Sequence, residues 1–255
     1  MSRILTVAAS TFRESIRNRT ILAIGLLALA FVASALLLAE LALDQRFRVI
    51  MDWGTLCVSA FGVGLAILLG VNQVHKEVRR KTLYVVLSRP IARWQYVVGK
   101  YLGLALTLLC EAGALSVALV SLLVLDGHAV PASLGYALLM AFFEMLLVAA
   151  FAVFFASFSS PYLSGLFALG TFVIGRSLPT LHQLIERVEW PALKASLKAG
   201  LAVLPDLSRF NLSTQAVHHL PIPPEAVWLP LLYGSAYLLL LLTLSAWIFS
   251  RRDLT

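Results

Sequence analysis

Six long apolar runs constrain this chain more than any other feature of its sequence. A helix rises about 1.5 Å per residue, so roughly 20 residues cross a hydrocarbon layer about 30 Å thick. The runs occupy residues 20–43, 53–74, 97–125, 132–158, 162–181 and 227–249. They lack the alternation of apolar and polar residues that is typical of barrel strands, and backbone polar groups in lipid must be paired. The sequence therefore predicts an all-α, polytopic membrane protein with six transmembrane helices.

The composition supports a membrane protein rather than a soluble one. The chain is 60% hydrophobic and only 13% charged, and its mean hydropathy is +0.89. Soluble domains carry about a quarter charged residues. The net charge of +7 comes from basic residues beside the apolar runs, which indicates membrane topology rather than nucleic-acid binding. We therefore expect a single transmembrane domain over residues 1–255, surrounded by membrane lipid and with no nucleic-acid partner.

The distribution of Lys and Arg predicts how the chain is oriented. With six spans, the N-terminal segment, the loop after the second run and the C-terminal tail lie on one side. They contain thirteen of the 20 basic residues, in the denser clusters. Because cytoplasmic loops are enriched in Lys and Arg, both termini should face the cytosol. We expect a multi-pass protein of the bacterial cytoplasmic (inner) membrane.

Two segments outside the runs predict further helices. Residues 3–18 form an amphipathic pattern, with Leu5, Ala9, Phe12 and Ile16 on one face, which is typical of a helix lying in the headgroup layer. The outer segment, residues 182–226, contains a helical stretch that Pro191 can open and Pro205 can close. At about 14 residues this stretch is too short to span. We expect it to lie on the outer leaflet.

A stripe of small residues marks one face of the second run. Gly62, Ala66 and Gly70 recur every four residues, so they share a face of the predicted helix. Small residues at this spacing allow two helices to approach closely in a membrane. The stripe predicts a helix-packing surface rather than a functional site.

Catalytic motifs are missing from the sequence, so we expect no enzyme activity. The pair Gly99 and Lys100 lacks both the earlier glycine and the following hydroxyl of a phosphate-binding loop. Ser164 precedes a glycine, but Tyr162 stands where a serine nucleophile motif needs another. Cys57 and Cys110 both lie in apolar runs and are expected to be small buried side chains. We predict no catalytic, cofactor or metal site on this chain.

Two carboxylates in the third and fourth runs form a candidate intramembrane polar site. Glu111 and Glu144 lie at similar distances from the short turn between these runs, so their depths should match. An ionised carboxylate in the middle of a bilayer costs on the order of 3 kcal/mol or more without a partner. One interpretation places them on a transport path. The other is a protonated, hydrogen-bonded pair that holds two helices together.

The segment 75–96, between the second and third runs, predicts a cytosolic docking element. Residues 77–87 can form a short, charged and partly apolar helix, which Pro90 would end because a residue before proline disfavours helix. Such a helix is a natural contact for a soluble partner. On physical grounds alone, an ordinary basic cytosolic loop explains the pattern equally well.

The residues of this segment resemble the cytoplasmic loop of ABC type-2 permeases. That loop has an acidic residue, a Thr-Leu pair, a Ser-x-Pro, a basic residue and a Gly-Lys pair opening the third span. The matching positions are Glu77, Thr82, Leu83, Ser88, Arg89, Pro90, Arg93, Gly99 and Lys100. Lys81 departs from the pattern, since many members have glycine there. The pattern is most similar to the branch that contains the permease of the nitrous-oxide-reductase copper maturation system.

The resemblance implies a permease subunit of an ATP-binding-cassette exporter. It implies a separate ATPase subunit, which would bind ATP and Mg, and a permease homodimer. The coupling residues that it implies are Glu77, Thr82, Leu83, Tyr84, Leu87 and Arg89. Two alternatives remain open at this point. One is an ion- or proton-coupled carrier that uses Glu111 and Glu144, although no inverted repeat is evident; the other is a membrane scaffold without transport activity.

Overall fold

A computed structural model of the chain describes residues 3–42, 45–80, 93–187, 190–202, 204–218 and 220–251. Within these ranges all regular structure is helical, as predicted. The helices are α1 (Arg3–Ile16), α2 (Arg19–Ala33), α3 (Ala35–Leu41), α4 (Arg46–Arg80), α5 (Arg93–Leu125), α6 (Ala132–Ala156), α7 (Pro161–Arg176), α8 (Leu178–Glu186), α9 (Pro191–Ala202), α10 (Ser213–Val217) and α11 (Glu225–Arg251), with a 3-10 turn at Leu207–Phe210.

Five helical segments of the described chain are long and apolar enough to cross a membrane. They are Arg19–Leu41, Arg46–Lys76, Trp94–Leu125, Ala132–Ala156 and Glu225–Phe249. The first joins α2 and α3, and the others lie within α4, α5, α6 and α11. They correspond to five of the six predicted runs. The prediction of a multi-span helical membrane protein is therefore confirmed.

The remaining run, residues 162–181, is divided between two helices. Helix α7 has 16 residues, about 24 Å by helical rise, and ends at Arg176. Helix α8 begins at Leu178 with a proline in its first turn, where proline is best tolerated. Because α7 is shorter than a bilayer core, the count of six spans stays a prediction.

Helices α4 and α6 form the centre of the bundle, and its two ends differ. The turn end carries the short connection from α5 to α6, where Gly127 has φ of 79°, a conformation that favours glycine. The loop end carries α1, the last turns of α4 and the first turns of α5. Along α6, most side chains from Glu144 to Val153 are buried against neighbouring helices.

Helix α1 packs on α5 through small residues and leaves its larger apolar side chains free. Ala8, Thr11 and Ser15 are buried, whereas Leu5 and Ile16 are 53% and 41% exposed. The predicted amphipathic helix is thus confirmed as a helix. Its free apolar face is the one that the sequence assigned to the headgroup layer, and that placement stays a prediction.

Gly103→Val should loosen α1 from the bundle. A Cβ at Gly103 would lie 2.5 Å from the Cβ of Thr11 and 2.6 Å from the carbonyl oxygen of Ala8, so any side chain must displace α1. We expect a loss of about 1–2 kcal/mol in unfolding free energy, measured by thermal unfolding in detergent. Gly113→Val on the same helix is the matched control, because a Cβ there meets nothing within 4 Å. Equal losses in the two variants would contradict this packing.

The predicted helix opened by Pro191 is α9, and ion pairs join it to α8. Lys194 and Lys198 each place Nζ 2.6 Å from a carboxylate oxygen of Glu186. Hydrogen bonds from the two lysines lower the pKa of Glu186 to about 2. A lowered pKa means that this link is fully present above the usual glutamate range and is lost as the pH falls toward about 2. All three groups are solvent-accessible, so their contribution to stability is small.

Candidate functional site

Glu144 is held by an arginine and a serine from two other helices. Nη1 of Arg176, on α7, donates to Oε2 of Glu144 at 3.2 Å and to Oε1 at 3.3 Å. The same nitrogen donates to Oγ of Ser59, on α4, at 2.7 Å. The Ser59 hydroxyl in turn donates to Oε2 of Glu144 at 3.2 Å. The three residues form a closed network that joins α4, α6 and α7.

Burial explains why this network needs all three members. Glu144 is only 1% exposed, whereas the Arg176 side chain is 28% exposed. A buried carboxylate loses its hydration and needs a positive partner and hydrogen bonds in return. Arg176 is also the last residue of α7, where the helix dipole favours a positive charge, and it stacks over Phe172 at 5.7 Å.

A cavity of about 520 Å³, lined by both polar and apolar side chains, lies over this network. It is built from the turn-end halves of α4 and α6, the end of α7 and the connection from the 3-10 turn to α10. We call it the turn-end cavity. Its lining residues are Asp52, Thr55, Leu56, Ser59, Ala60, Ala137, Leu138, Ala141, Glu144, Phe172, Arg176, Phe210, Asn211 and Ser213. The cavity lies on the half of α4 that is farther from Arg80, the last residue of this helix.

Glu111 has different surroundings from Glu144. Both of its carboxylate oxygens are buried and make no hydrogen bond to any described residue. Glu144 uses its two oxygens for Arg176 and Ser59 instead. The interpretation of the two carboxylates as a hydrogen-bonded pair is therefore wrong for the described structure. Only Glu144 of the two lines the turn-end cavity.

Arg176 is the site residue that the sequence analysis missed. It is one of the seven Lys and Arg residues that the predicted topology places on the side opposite the termini. Arg176 closes an apolar run interrupted by glycines, and a glutamate lies in the preceding run. A lone charged residue at the end of an apolar run indicates a buried partner of opposite charge. The cysteine prediction was half right, because Cys57 is buried and Cys110 is exposed.

Most of the predicted coupling residues lie outside the described part of the chain. These are Thr82, Leu83, Tyr84, Leu87 and Arg89. The backbone of Glu77 is described and lies within α4, which continues to Arg80. Residues 77–80 are thus helical, as a continuation of α4, and the rest of the predicted helix 77–87 lies outside the described residues.

The Gly-Lys pair of the motif has a structural role at the loop end. A Cβ at Gly99 would lie 2.8 Å from the Cβ of Val7, so only glycine lets α1 approach α5 here. Lys100 donates to Oε1 of Gln73 at 3.2 Å, and Nε2 of Gln73 donates to Ser15 at 3.3 Å. These bonds join α5, α4 and α1 at the loop end of the bundle.

The described residues contain no group of three His, Cys, Asp or Glu side chains placed to hold a metal ion.

Comparison with known proteins gives a family-level result. A family model described as ABC-2 family transporter protein matches residues 5–254, nearly the whole chain. No curated protein sequence matches at a significant level.

Proposed function

Because the chain belongs to the ABC-2 transporter family, we propose that it is the permease subunit of an ABC exporter and works with a separate ATPase subunit. The family match over residues 5–254 is the observation that carries this proposal. Five membrane-length helices and the missing phosphate-binding loop are consistent with it. The energy source would lie on the partner chain, which would bind ATP and Mg.

In this proposal, segment 75–96 is the contact with the ATPase. Two permease copies and two ATPase copies would assemble with both termini of the permease in the cytosol, at the inner membrane. Closure of the ATPase dimer would push on Glu77, Thr82, Leu83, Tyr84, Leu87 and Arg89. The bonds from Lys100 and Gln73 would carry that motion to α1, α4 and α5. A path between the two permease copies would then open alternately to either side.

Leu83→Asp should break assembly with the ATPase while leaving membrane insertion intact. A charge at a buried contact costs several kcal/mol without a partner, so recovery of the ATPase should fall by more than about tenfold. The measurement is co-purification of the co-expressed subunits from detergent. Tyr84→Asp should reduce recovery of the ATPase in the same way as Leu83→Asp.

Leu125→Asp is the matched control, since Leu125 lies at the turn end and is 79% exposed. It should leave ATPase recovery unchanged. Undiminished co-purification with Leu83→Asp would refute the coupling role of segment 75–96. A preparation that binds an ATPase but never changes its nucleotide turnover would favour the scaffold alternative.

A further inference from the structure

Arg176 lines the turn-end cavity and keeps hydrogen-bond donors that its contacts with Glu144 and Ser59 do not use. The guanidinium has five N–H groups, and its described hydrogen bonds use only the two on Nη1. Nε and Nη2 therefore keep three donors, on a side chain that lines the cavity. Glu144 and Ser59, the described acceptors of Arg176, both receive their hydrogen bonds from Nη1 and not from Nε or Nη2.

Asn211 adds a second donor group to the same cavity. Its Oδ1 accepts from the backbone nitrogen of Ser213 at 3.3 Å and from the Ser213 hydroxyl at 2.7 Å. A backbone N–H can only donate, so this bond fixes which side of the amide is oxygen. The Nδ2 group is then a donor, and it makes no hydrogen bond to a described residue. Arg176 and Asn211 thus both offer donors to a ligand in the cavity.

We propose that the turn-end cavity binds one oxyanion, a carboxylate or a phosphate group, held by Arg176 and Asn211. A guanidinium and an oxyanion form paired, charge-assisted hydrogen bonds, which are stronger than hydrogen bonds between neutral groups. A cavity of about 520 Å³ is in the range of small-molecule sites. Phe172, Phe210 and Leu138 would contact an apolar remainder of the molecule.

Asp52 limits which anions fit. It is exposed and lines the cavity seven residues before Ser59 on α4, about 10 Å away by helical rise. A single oxyanion at Arg176 avoids this carboxylate, whereas a polyanion would bring negative charge close to it. The site therefore selects a molecule with one anionic group. The source can be a solute or a lipid headgroup, and the experiment separates the two.

The test uses the full chain in an uncharged detergent and three probes: inorganic phosphate, octanoate and dioctanoyl phosphatidic acid. Neutral dioctanoylglycerol is the control ligand. Equilibrium binding of each labelled probe gives Kd. Binding of phosphate or octanoate would indicate a site for a solute. Binding of phosphatidic acid but not of the other two probes would indicate a site for a lipid headgroup. The site belongs to this chain, so the result does not depend on an ATPase partner.

Two variants decide whether Arg176 holds the anion. Glu144→Gln removes the negative partner and leaves the guanidinium, so at least one probe should bind several-fold more tightly. The double variant R176Q/E144Q replaces the ion pair with a neutral pair. It should bind that probe about 10- to 100-fold more weakly than the native chain does. Its thermal unfolding midpoint shows whether it is folded.

No saturable binding of any of the three anions to the native chain would overturn the proposal. So would binding that persists in the double variant, binding that weakens in Glu144→Gln, or equal affinity for neutral dioctanoylglycerol.

Discussion

Replacing Arg176 with glutamine should destabilise the folded chain by about 3–5 kcal/mol. The reason is that Glu144 is only 1% exposed and would keep its carboxylate without a positive partner. Removing one member of a buried ion pair costs far more than replacing both members with neutral groups. The expected cost therefore comes mainly from the carboxylate that is left behind.

Glu144→Gln should be milder, at about 1–2 kcal/mol, because the remaining group is the partly exposed guanidinium, which can be hydrated in the turn-end cavity. The double variant should be more stable than Arg176→Gln alone. Thermal unfolding in detergent of the four proteins in this cycle gives the coupling between the two positions. Additive effects of the two single changes would contradict a buried, coupled pair.

Gly70→Val should destabilise the contact between α4 and α6 by about 3 kcal/mol. A Cβ at Gly70 would lie 2.7 Å from the Cβ of Ala152 and 3.1 Å from the carbonyl oxygen of Ala149. These atoms belong to the backbone and first side-chain carbon of α6, so they cannot move without shifting the helix. The predicted small-residue stripe thus includes a position where only glycine fits.

Two other glycines of α4 provide the comparison. A Cβ at Gly64 meets nothing within 4 Å, so Gly64→Val is the matched control and should be close to neutral. The three nearest contacts of a Cβ at Gly62 are all with the side chain of Met145, which can change rotamer, so Gly62→Val should fall between the two. The order of the three unfolding midpoints tests the packing. A Gly70 variant as stable as the Gly64 variant would rule it out.

Hydropathy predicted the helical class and five of the spans because each span is a local property of one apolar run. It did not predict the break at Ser177, since residues 162–181 are apolar on both sides of it. Hydropathy also did not predict which face of a span packs against the neighbouring helices. Cys110 and Cys57 lie in similar runs, yet one is exposed and the other buried. Exposure depends on which helices pack together, and no single run contains that information.

The network at the cavity was only partly predictable for the same reason. Glu144 stood out as a charge in an apolar run, and its partner had to be a distant residue. Ser59 lies 85 positions before Glu144, and Arg176 lies 32 positions after it. The sequence offered Glu111 as the partner because its depth matched. Tertiary packing of α7 against α4 and α6 supplied Arg176 instead.

Site-specific labelling tests the central claim, that segment 75–96 lies in the cytosol where an ATPase can bind it. Tyr84→Cys and Val130→Cys are introduced separately into a chain whose Cys57 and Cys110 are replaced with alanine, expressed without an ATPase subunit so that position 84 is not covered by it. A membrane-impermeant maleimide is then applied to intact and to lysed spheroplasts. The account predicts that position 130 is labelled in both preparations and position 84 only after lysis. Labelling of position 84 in intact spheroplasts would contradict it.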